Sequence, residues 1–191
     1  VNPVIEKEEI VVQNKNNAEV IEVPLCSCGL RHVPDLFFSE YAEGSSNNKY
    51  MELYNPTDAT IDLSNYAFPN VSNAPTTDGE FEYWNEFADS ATVAPGDVYI
   101  ICHPSSDDAI LAECDQTHNY MSNGDDGYAL SRTDMGGPMY IDWIGDFNGD
   151  PGSGWEVCGV SNGTKDHTLV RIASVHAGMN WDTSSSEEGC E

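Results

Sequence analysis

Residues 35–68 read DLFFSEYAEGSSNNKYMELYNPTDATIDLSNYAF, and this segment indicates the fold class. It predicts three strands, over 36–41, 49–55 and 60–63, because β-branched and aromatic residues there are bounded by clusters of Gly, Asn, Pro and Asp. Within the second strand, apolar residues alternate with polar or aromatic ones, which is the pattern of a sheet with two unlike faces. We therefore expect an antiparallel β-meander.

Short motifs follow one another along the chain in a fixed order. They are FSEY at 38–41, ELYNP at 52–56, IDLS at 61–64 with Tyr66, VAPGD at 93–97, SNGDD at 122–126 with Ala129 and Leu130, and IDWIG at 141–145. In this order they resemble the lamin-tail domain, an immunoglobulin-like β-sandwich of nuclear lamins and of many secreted bacterial and algal proteins. The tail, DFNGDPGS at 146–153 with HTLVR at 167–171, is similar to the secreted branch, which includes domains attached to extracellular nucleases.

The resemblance covers residues 35–185 and implies an all-β, immunoglobulin-like sandwich. The chain then divides into an N-terminal arm or linker over 1–34 and the sandwich over 35–191. In the family this module is not itself catalytic and accompanies many different partners, so the resemblance predicts fold far more specifically than function.

Further elements complete the expected sandwich. DVYIIC at 97–102 predicts a central strand, 128–132 and 139–144 an antiparallel pair, and 167–172 the strand that closes the sheet. One short helix is expected over 105–114, capped by Ser105 or Ser106. The long insertion over 69–92 carries four aromatic residues, for which we expect packing against the sandwich rather than a ligand platform; they are Phe81, Tyr83, Trp84 and Phe87.

The chain is strongly acidic, with 33 acidic against seven basic residues and a net charge of −26. Such a surface repels nucleic acids and anionic lipid and favours cations. A high negative charge also keeps proteins soluble in salty water, because the salt screens the repulsion between their carboxylates. No run of 18 apolar residues is present, so we expect no membrane insertion, and the absence of a basic stripe disfavours nucleic-acid binding.

Six cysteines indicate disulfides and an oxidising, extracellular compartment. Locality favours the pairs Cys102–Cys114 and Cys158–Cys190, which leaves Cys26 and Cys28 to pair elsewhere or with another molecule. The C-x-C spacing is poor for zinc. Two sequons, at Asn70 and Asn162, are candidate glycosylation sites of a secreted protein.

The best chemical motif is DFNGD at 146–150, where Asp146, Asn148 and Asp150 place oxygen ligands at alternate positions around a glycine turn. Asp125 and Asp126 lie in a second acidic turn that would be nearby if the flanking strands are neighbours. Calcium is the cofactor that this pattern predicts. The alternative is that both are turns shaped by Asn, Asp and Gly without an ion.

No catalytic constellation is visible. The five histidines are scattered, neither H-E-x-x-H nor G-x-S-x-G occurs, and paired carboxylates are too numerous in so acidic a chain to be informative. We therefore predict a non-catalytic, secreted structural or adhesive module. The alternative is an accessory domain of a larger secreted hydrolase such as an extracellular nuclease.

The N-terminal arm contains two β-prone pieces within residues 4–23. Such a segment can add to the unpaired edge of a sheet in a neighbouring copy, and contacts of this head-to-tail kind propagate into filaments. It can equally pair with its own sheet or act as a linker. Copies of the chain itself are therefore one class of expected partner, beside other proteins.

Overall fold

The structure is a computed structural model that describes residues 34–187 and Gly189. The predicted N-terminal arm, apart from Pro34, lies outside the described residues, as do Cys26, Cys28 and Cys190. By internal contacts the chain divides into residues 1–33 and residues 34–191, and all the described residues belong to the second of these units.

The described residues contain eleven strands and two short helices. They are β1 (Phe37–Glu43), β2 (Lys49–Tyr54), β3 (Ile61–Asp62), β4 (Tyr66–Ala67), β5 (Asn70–Val71), β6 (Thr92–Val93), β7 (Val98–Cys102), α1 (Asp108–Leu111), β8 (Gln116–Thr117), β9 (Gly127–Arg132), β10 (Met139–Ile144), β11 (Thr168–Val170) and α2 (Trp181–Ser184). None of these helices is long and apolar enough to cross a membrane.

The strands form two main sheets. The first has the order β11-β1-β2-β7-β8, and the second has the order β10-β9-β4 with β5 also paired to β9. Every pairing is antiparallel except that of β7 with β8. The predicted all-β, immunoglobulin-like sandwich is confirmed.

The core lies between the two sheets. The first sheet contributes Phe38, Met51, Leu53 and Ile101, and the second contributes Tyr128, Leu130 and Ile144, all of them buried. Full burial of a large apolar side chain stabilises a fold by roughly 1.5–3 kcal/mol, so these residues supply much of the driving force. The alternation predicted for the second strand is seen directly, because buried and half-buried residues alternate along β2.

The predicted meander is wrong at its third strand. Residues 61–62 pair with β6 rather than with β2, and the second neighbour of β2 is β7. The reason is long-range: the amide of Asn55 donates to the carbonyls of Ala59 at 2.8 Å and Val93 at 2.9 Å, which directs the chain out of the first sheet. A short 3₁₀ turn comes immediately afterwards, capped by the Asp62 carboxylate.

The predicted helix over 105–114 is shorter than expected. It occupies only Asp108–Leu111, and no residue of it is buried. Ser106 does not cap it, because its hydroxyl donates instead to the carbonyl of Asn47 at 2.6 Å. The backbone N–H of Asp107 donates to the Asn48 side chain at 2.8 Å, so the β1–β2 turn holds the residues before the helix.

The remaining strand predictions are confirmed. β9 and β10 form the expected hairpin, β7 lies inside the first sheet, and β11 closes the other edge of that sheet against β1. One buried carboxylate then ties the two sheets together. Asp142 on β10 accepts hydrogen bonds from the backbone N–H of Phe38 and from Arg171, both at 2.8 Å.

Candidate functional site

The insertion over 69–92 folds back along the chain that precedes it. Its returning segment bridges Asn70 to Tyr83, and the backbone N–H of Phe68 donates to the carbonyl of Asn85 at 2.9 Å. Because these bonds bind the insertion to the residues around β4 and β5, it forms a fixed wall at one end of the second sheet.

The four aromatic residues of this insertion have different surroundings. Phe87 packs into the core with its ring 5.1 Å from that of Phe68, as expected from the sequence. Phe81 and Trp84 contact each other at 5.3 Å on the surface. Tyr83 is 55% exposed. The packing prediction therefore holds for Phe87, whereas Tyr83 presents its ring to solvent.

Residues 117–123 form the opposite wall. The segment begins in β8, which pairs with β7, and the backbone N–H of His118 donates to the carbonyl of Cys102 at 2.9 Å. The disulfide Cys102–Cys114, with a Cα–Cα distance of 5.9 Å, closes the loop immediately before β8. Further along, the hydroxyl of Tyr128 donates to the carbonyl of Tyr120 at 2.6 Å. The wall is thus held at both ends, while the ring of Tyr120 is 78% exposed.

Between the two walls lies an open cavity of about 870 Å³, which we call the aromatic groove. Its lining combines aromatic rings with amide, hydroxyl and carboxylate side chains: Asn70, Ser72, Glu82, Tyr83, Trp84, Asn85, Thr117, His118, Asn119, Tyr120, Met121, Asn123 and Asp126. The groove has the size of a binding site for a small ligand, and with eight polar residues among its thirteen it is more polar than the mostly apolar pockets that are usual for such sites.

The two carboxylates of the groove are already occupied by neighbouring donors. Glu82 accepts from the hydroxyl and backbone N–H of Thr76 at 2.6 and 3.1 Å, and these bonds lower its pKa. Asp126 accepts from the backbone N–H of Asn73 at 2.9 Å, and burial raises its pKa. By contrast, the side chains of Thr117, Asn119 and Asn123 make no hydrogen bond within the described part of the chain.

His118 lies at the base of this wall. Its Nε2 is the one buried side-chain polar atom without a hydrogen-bond partner among the described residues. Burial, and after it the nearby His103, lower the pKa of its imidazole, so His118 is neutral at physiological pH. The imidazole ring contacts Phe68 at 5.4 Å and Tyr120 at 6.0 Å. The Nε2 atom is thus neutral and shielded from solvent, and it is not one of the polar groups that the groove presents to a ligand.

The residues predicted to bind calcium lie in two turns that are neighbours, as expected. Gly127, at the start of β9, lies directly against the backbone carbonyl oxygen of Asp146, just after β10. However, the carboxylates of Asp146 and Asp150 accept hydrogen bonds from residues of their own turn. Asp146 accepts from the amide of Asn148 at 2.8 Å, and Asp150 accepts from the backbone N–H of Gly152 at 2.7 Å.

The carboxylates of the second acidic turn accept hydrogen bonds from Asn73. Asp126 accepts from the backbone of Asn73, and the Asn73 amide, with its nitrogen toward Asp125, donates to that carboxylate at 2.9 Å. Within residues 34–187 no three His, Cys, Asp or Glu side chains are grouped so as to hold a metal ion. Calcium binding therefore stays a prediction.

The cysteines and sequons differ in their surroundings. Cys102 and Cys114 form the predicted disulfide, and Cys158 is also disulfide-bonded. Asn70 is only 4% exposed, and its side-chain oxygen accepts from the Asn85 amide at 2.8 Å. A glycan on Asn70 would have to displace these contacts, so we keep only Asn162, which is exposed, as a proposed glycosylation site.

The sequence reasoning missed most of the aromatic groove. It identified Tyr83 and Trp84 as residues of the insertion, but it did not connect them with residues 117–123. The alternation of polar and aromatic side chains in THNYM, at 117–121, was the available signal. It is weak because five residues outside a regular strand show no clear period.

Comparison with known proteins decides the family. The family model of the lamin tail domain matches residues 31–146, which is well over half of the chain. The chain belongs to the lamin tail domain family. This family is one of non-catalytic, immunoglobulin-like domains, in agreement with the sandwich. A comparison with curated proteins returns no match. The aromatic groove lies inside the matched range, whereas β11 and α2 lie beyond it.

Proposed function

We propose that this lamin tail domain is a non-catalytic, extracellular adhesive module. Three features support the proposal: membership of a non-catalytic domain family, disulfides at Cys102–Cys114 and Cys158, and a net charge of −26. Disulfides persist in oxidising compartments, and a highly charged surface is well tolerated in salty extracellular fluid.

The observation that carries the proposal is the aromatic groove. It is open to solvent, its walls are held by backbone hydrogen bonds and a disulfide, and it carries polar side chains without internal partners. A rigid site with exposed aromatic residues binds a ligand without a large cost of ordering. The same groove would serve an accessory domain that brings a secreted hydrolase to its substrate.

The experiment is a sedimentation assay on isolated cell-surface material of the source organism. We expect the purified protein to co-sediment, and the double variant Tyr83→Ala/Tyr120→Ala to remain in the supernatant. Met135→Ala is the matched control, because Met135 is also an exposed large side chain but lies in the β9–β10 turn. Absence of co-sedimentation by the wild-type protein, or equal co-sedimentation by the double variant, would refute the adhesive function of the groove.

We propose further that copies of the module assemble through β11. This strand is the outer strand of its sheet, Val170 on it is 63% exposed, and a small cavity of about 250 Å³ lies beside it. Exposed apolar edge strands pair readily with another chain. The N-terminal arm is the proposed partner.

Light scattering should show loss of polymer when residues 1–24 are deleted, and a wild-type protein that stays monomeric at high concentration contradicts assembly.

Calcium remains a proposal for the turn over 146–150. Binding would stabilise the folded state by mass action, so millimolar calcium should raise the melting temperature of the wild-type protein but not that of Asp146→Ala. A melting temperature that does not respond to calcium in the wild type contradicts the proposal.

A further inference from the structure

We infer that the aromatic groove binds a neutral oligosaccharide. The inference rests on the proposed adhesive function and adds the chemical class of the ligand. Three properties of the described residues support it. They are the exposure of the aromatic rings, the neutral polar side chains that have no hydrogen-bond partner in the protein, and the negative charge of the protein around the groove.

The tyrosine rings of the groove are exposed to solvent. Tyr83 on one wall and Tyr120 on the other are the two most exposed aromatic side chains of the groove. The π face of an aromatic ring carries partial negative charge, and the C–H groups on one face of a sugar ring carry partial positive charge. A sugar ring can therefore stack on a tyrosine and still leave its hydroxyl groups at the rim for hydrogen bonding.

The free polar groups are neutral and can both donate and accept. Asn119 and Asn123 carry amides, Thr117 carries a hydroxyl, and none of the three makes a side-chain hydrogen bond within the described chain. Each sugar hydroxyl is at once a donor and an acceptor, so amides and hydroxyls match it better than charged groups do.

Charged ligands fit the groove less well. An anionic ligand would be repelled by Glu82, by Asp126 and by a chain with a net charge of −26. A cationic ligand is attracted at long range by the net charge, but in the groove it would have to compete with the donors that already bind the two carboxylates. Glu82 is hydrogen-bonded to Thr76, and Asp126 is hydrogen-bonded to Asn73. A neutral ligand requires neither interaction.

The size of the groove is consistent with a short stretch of a glycan chain. Its volume of about 870 Å³ lies near the upper end of the range for small-ligand sites, roughly 300–1,000 Å³. Because the groove is open rather than enclosed, it can contact a few residues of a longer chain, as adhesion to a polymer requires.

The test is an array of immobilised oligosaccharides, with neutral hexoses and N-acetylhexosamines, uronic-acid oligomers and glucosamine oligomers. We expect the wild-type protein to bind one or more neutral oligosaccharides. Tyr120→Ala and Tyr83→Ala should each weaken that binding about tenfold, because each removes a stacking face. Asn119→Ala should weaken it as well, and Met135→Ala should leave it unchanged. Circular dichroism and the melting temperature of each variant establish that it is folded.

Several results would overturn the inference: binding to no neutral oligosaccharide, binding to charged oligomers alone, or neutral binding that the tyrosine variants leave unchanged. The co-sedimentation assay run in parallel separates this failure from that of the proposed function. If adhesion depends on Tyr83 and Tyr120 but survives periodate cleavage of the sugars in the cell-surface material and is lost after protease treatment, the ligand is a protein. In that case the inference is wrong and the adhesive function stands.

Discussion

At the scale of single residues, the carboxylate of Asp142 links the two sheets. This carboxylate is fully buried and accepts from the backbone N–H groups of Phe38 and Met179 and from the guanidinium of Arg171, at 2.8, 3.1 and 2.8 Å. Removing it leaves Arg171 and two backbone donors without their partner. A buried charge that loses its partner is costly, whereas an exposed ion pair contributes little.

We therefore expect Asp142→Ala to lower the free energy of unfolding by about 3–5 kcal/mol, measured by urea denaturation at pH 7. Asp134→Ala serves as the control, since Asp134 pairs with Arg132 at the surface and should have little effect. If the two variants unfold at the same urea concentration, the account of the link between the sheets is wrong.

His118 makes the stability depend on pH. Burial lowers the pKa of its imidazole in the folded state, whereas the unfolded chain has a pKa near 6.5. Between these two values the unfolded state binds the proton and the folded state does not. The contribution of His118 to the free energy of unfolding is therefore fully present above about pH 6.5, and it is lost as the pH falls through the folded-state pKa.

We expect the free energy of unfolding to fall more between pH 7.5 and pH 5.5 in the wild type than in His118→Gln. The difference between the two proteins removes the contribution of the carboxylates, which they share. Parallel pH profiles would mean that the imidazole of His118 is not shielded from solvent.

At the scale of elements, the disulfide Cys102–Cys114 connects β7, α1 and β8 into one unit. It closes a loop with a sequence separation of 12, and cross-links of about this length stabilise proteins by ~3 kcal/mol. The same unit holds the wall of the groove through the bond from His118 to the carbonyl of Cys102. Its loss should affect both stability and binding.

The double variant Cys102→Ser/Cys114→Ser should therefore unfold at a lower temperature and co-sediment more weakly than the wild type. Alkylation of the wild-type protein before reduction should label neither cysteine, as peptide mass spectrometry can show. An unchanged melting temperature, or alkylation of both thiols without reduction, contradicts this role.

Elements defined by local pattern were predictable, and elements defined by distant contacts were not. β2 follows from its own alternation, and the hairpin of β9 and β10 follows from two β-prone runs on either side of Gly136 and Gly137. The third strand was misassigned because the bond from Asn55 to Val93 crosses 38 residues of sequence. The helix was predicted too long because its N-terminal flank is bound to Asn48, which lies in a different turn.

The groove was out of reach of sequence reasoning for the same reason. Its two walls, around Tyr83 and Tyr120, are far apart along the chain and meet only because β5 pairs with β9 and β8 pairs with β7. The alternation around Tyr120 covers only five residues, and Tyr83 shows no periodic signal. By contrast, the Cys102–Cys114 disulfide could be predicted, since its loop is short and each cysteine lies at the end of an expected element.

At the scale of the whole molecule, the sandwich acts as a rigid support for one face. β9 contributes Tyr128 and Leu130 to the core between the sheets. The pairing of β5 with β9 and of β8 with β7 then holds the walls of the aromatic groove. The acidic surface keeps anionic partners away, while the groove itself offers neutral amides and exposed tyrosines. We propose that this face, rather than the acidic turns or the β11 edge, contacts the ligand.

Hydroxyl-radical footprinting of the protein, free and bound to cell-surface material, tests this proposal. Tyrosine and methionine side chains react readily with the radical when they are exposed. Tyr83 and Tyr120 therefore report on the aromatic groove, and Met135 reports on the β9–β10 turn. We predict that binding protects Tyr83 and Tyr120 and leaves Met135 as reactive as in the free protein. Full reactivity of both tyrosines in the bound protein would contradict the account.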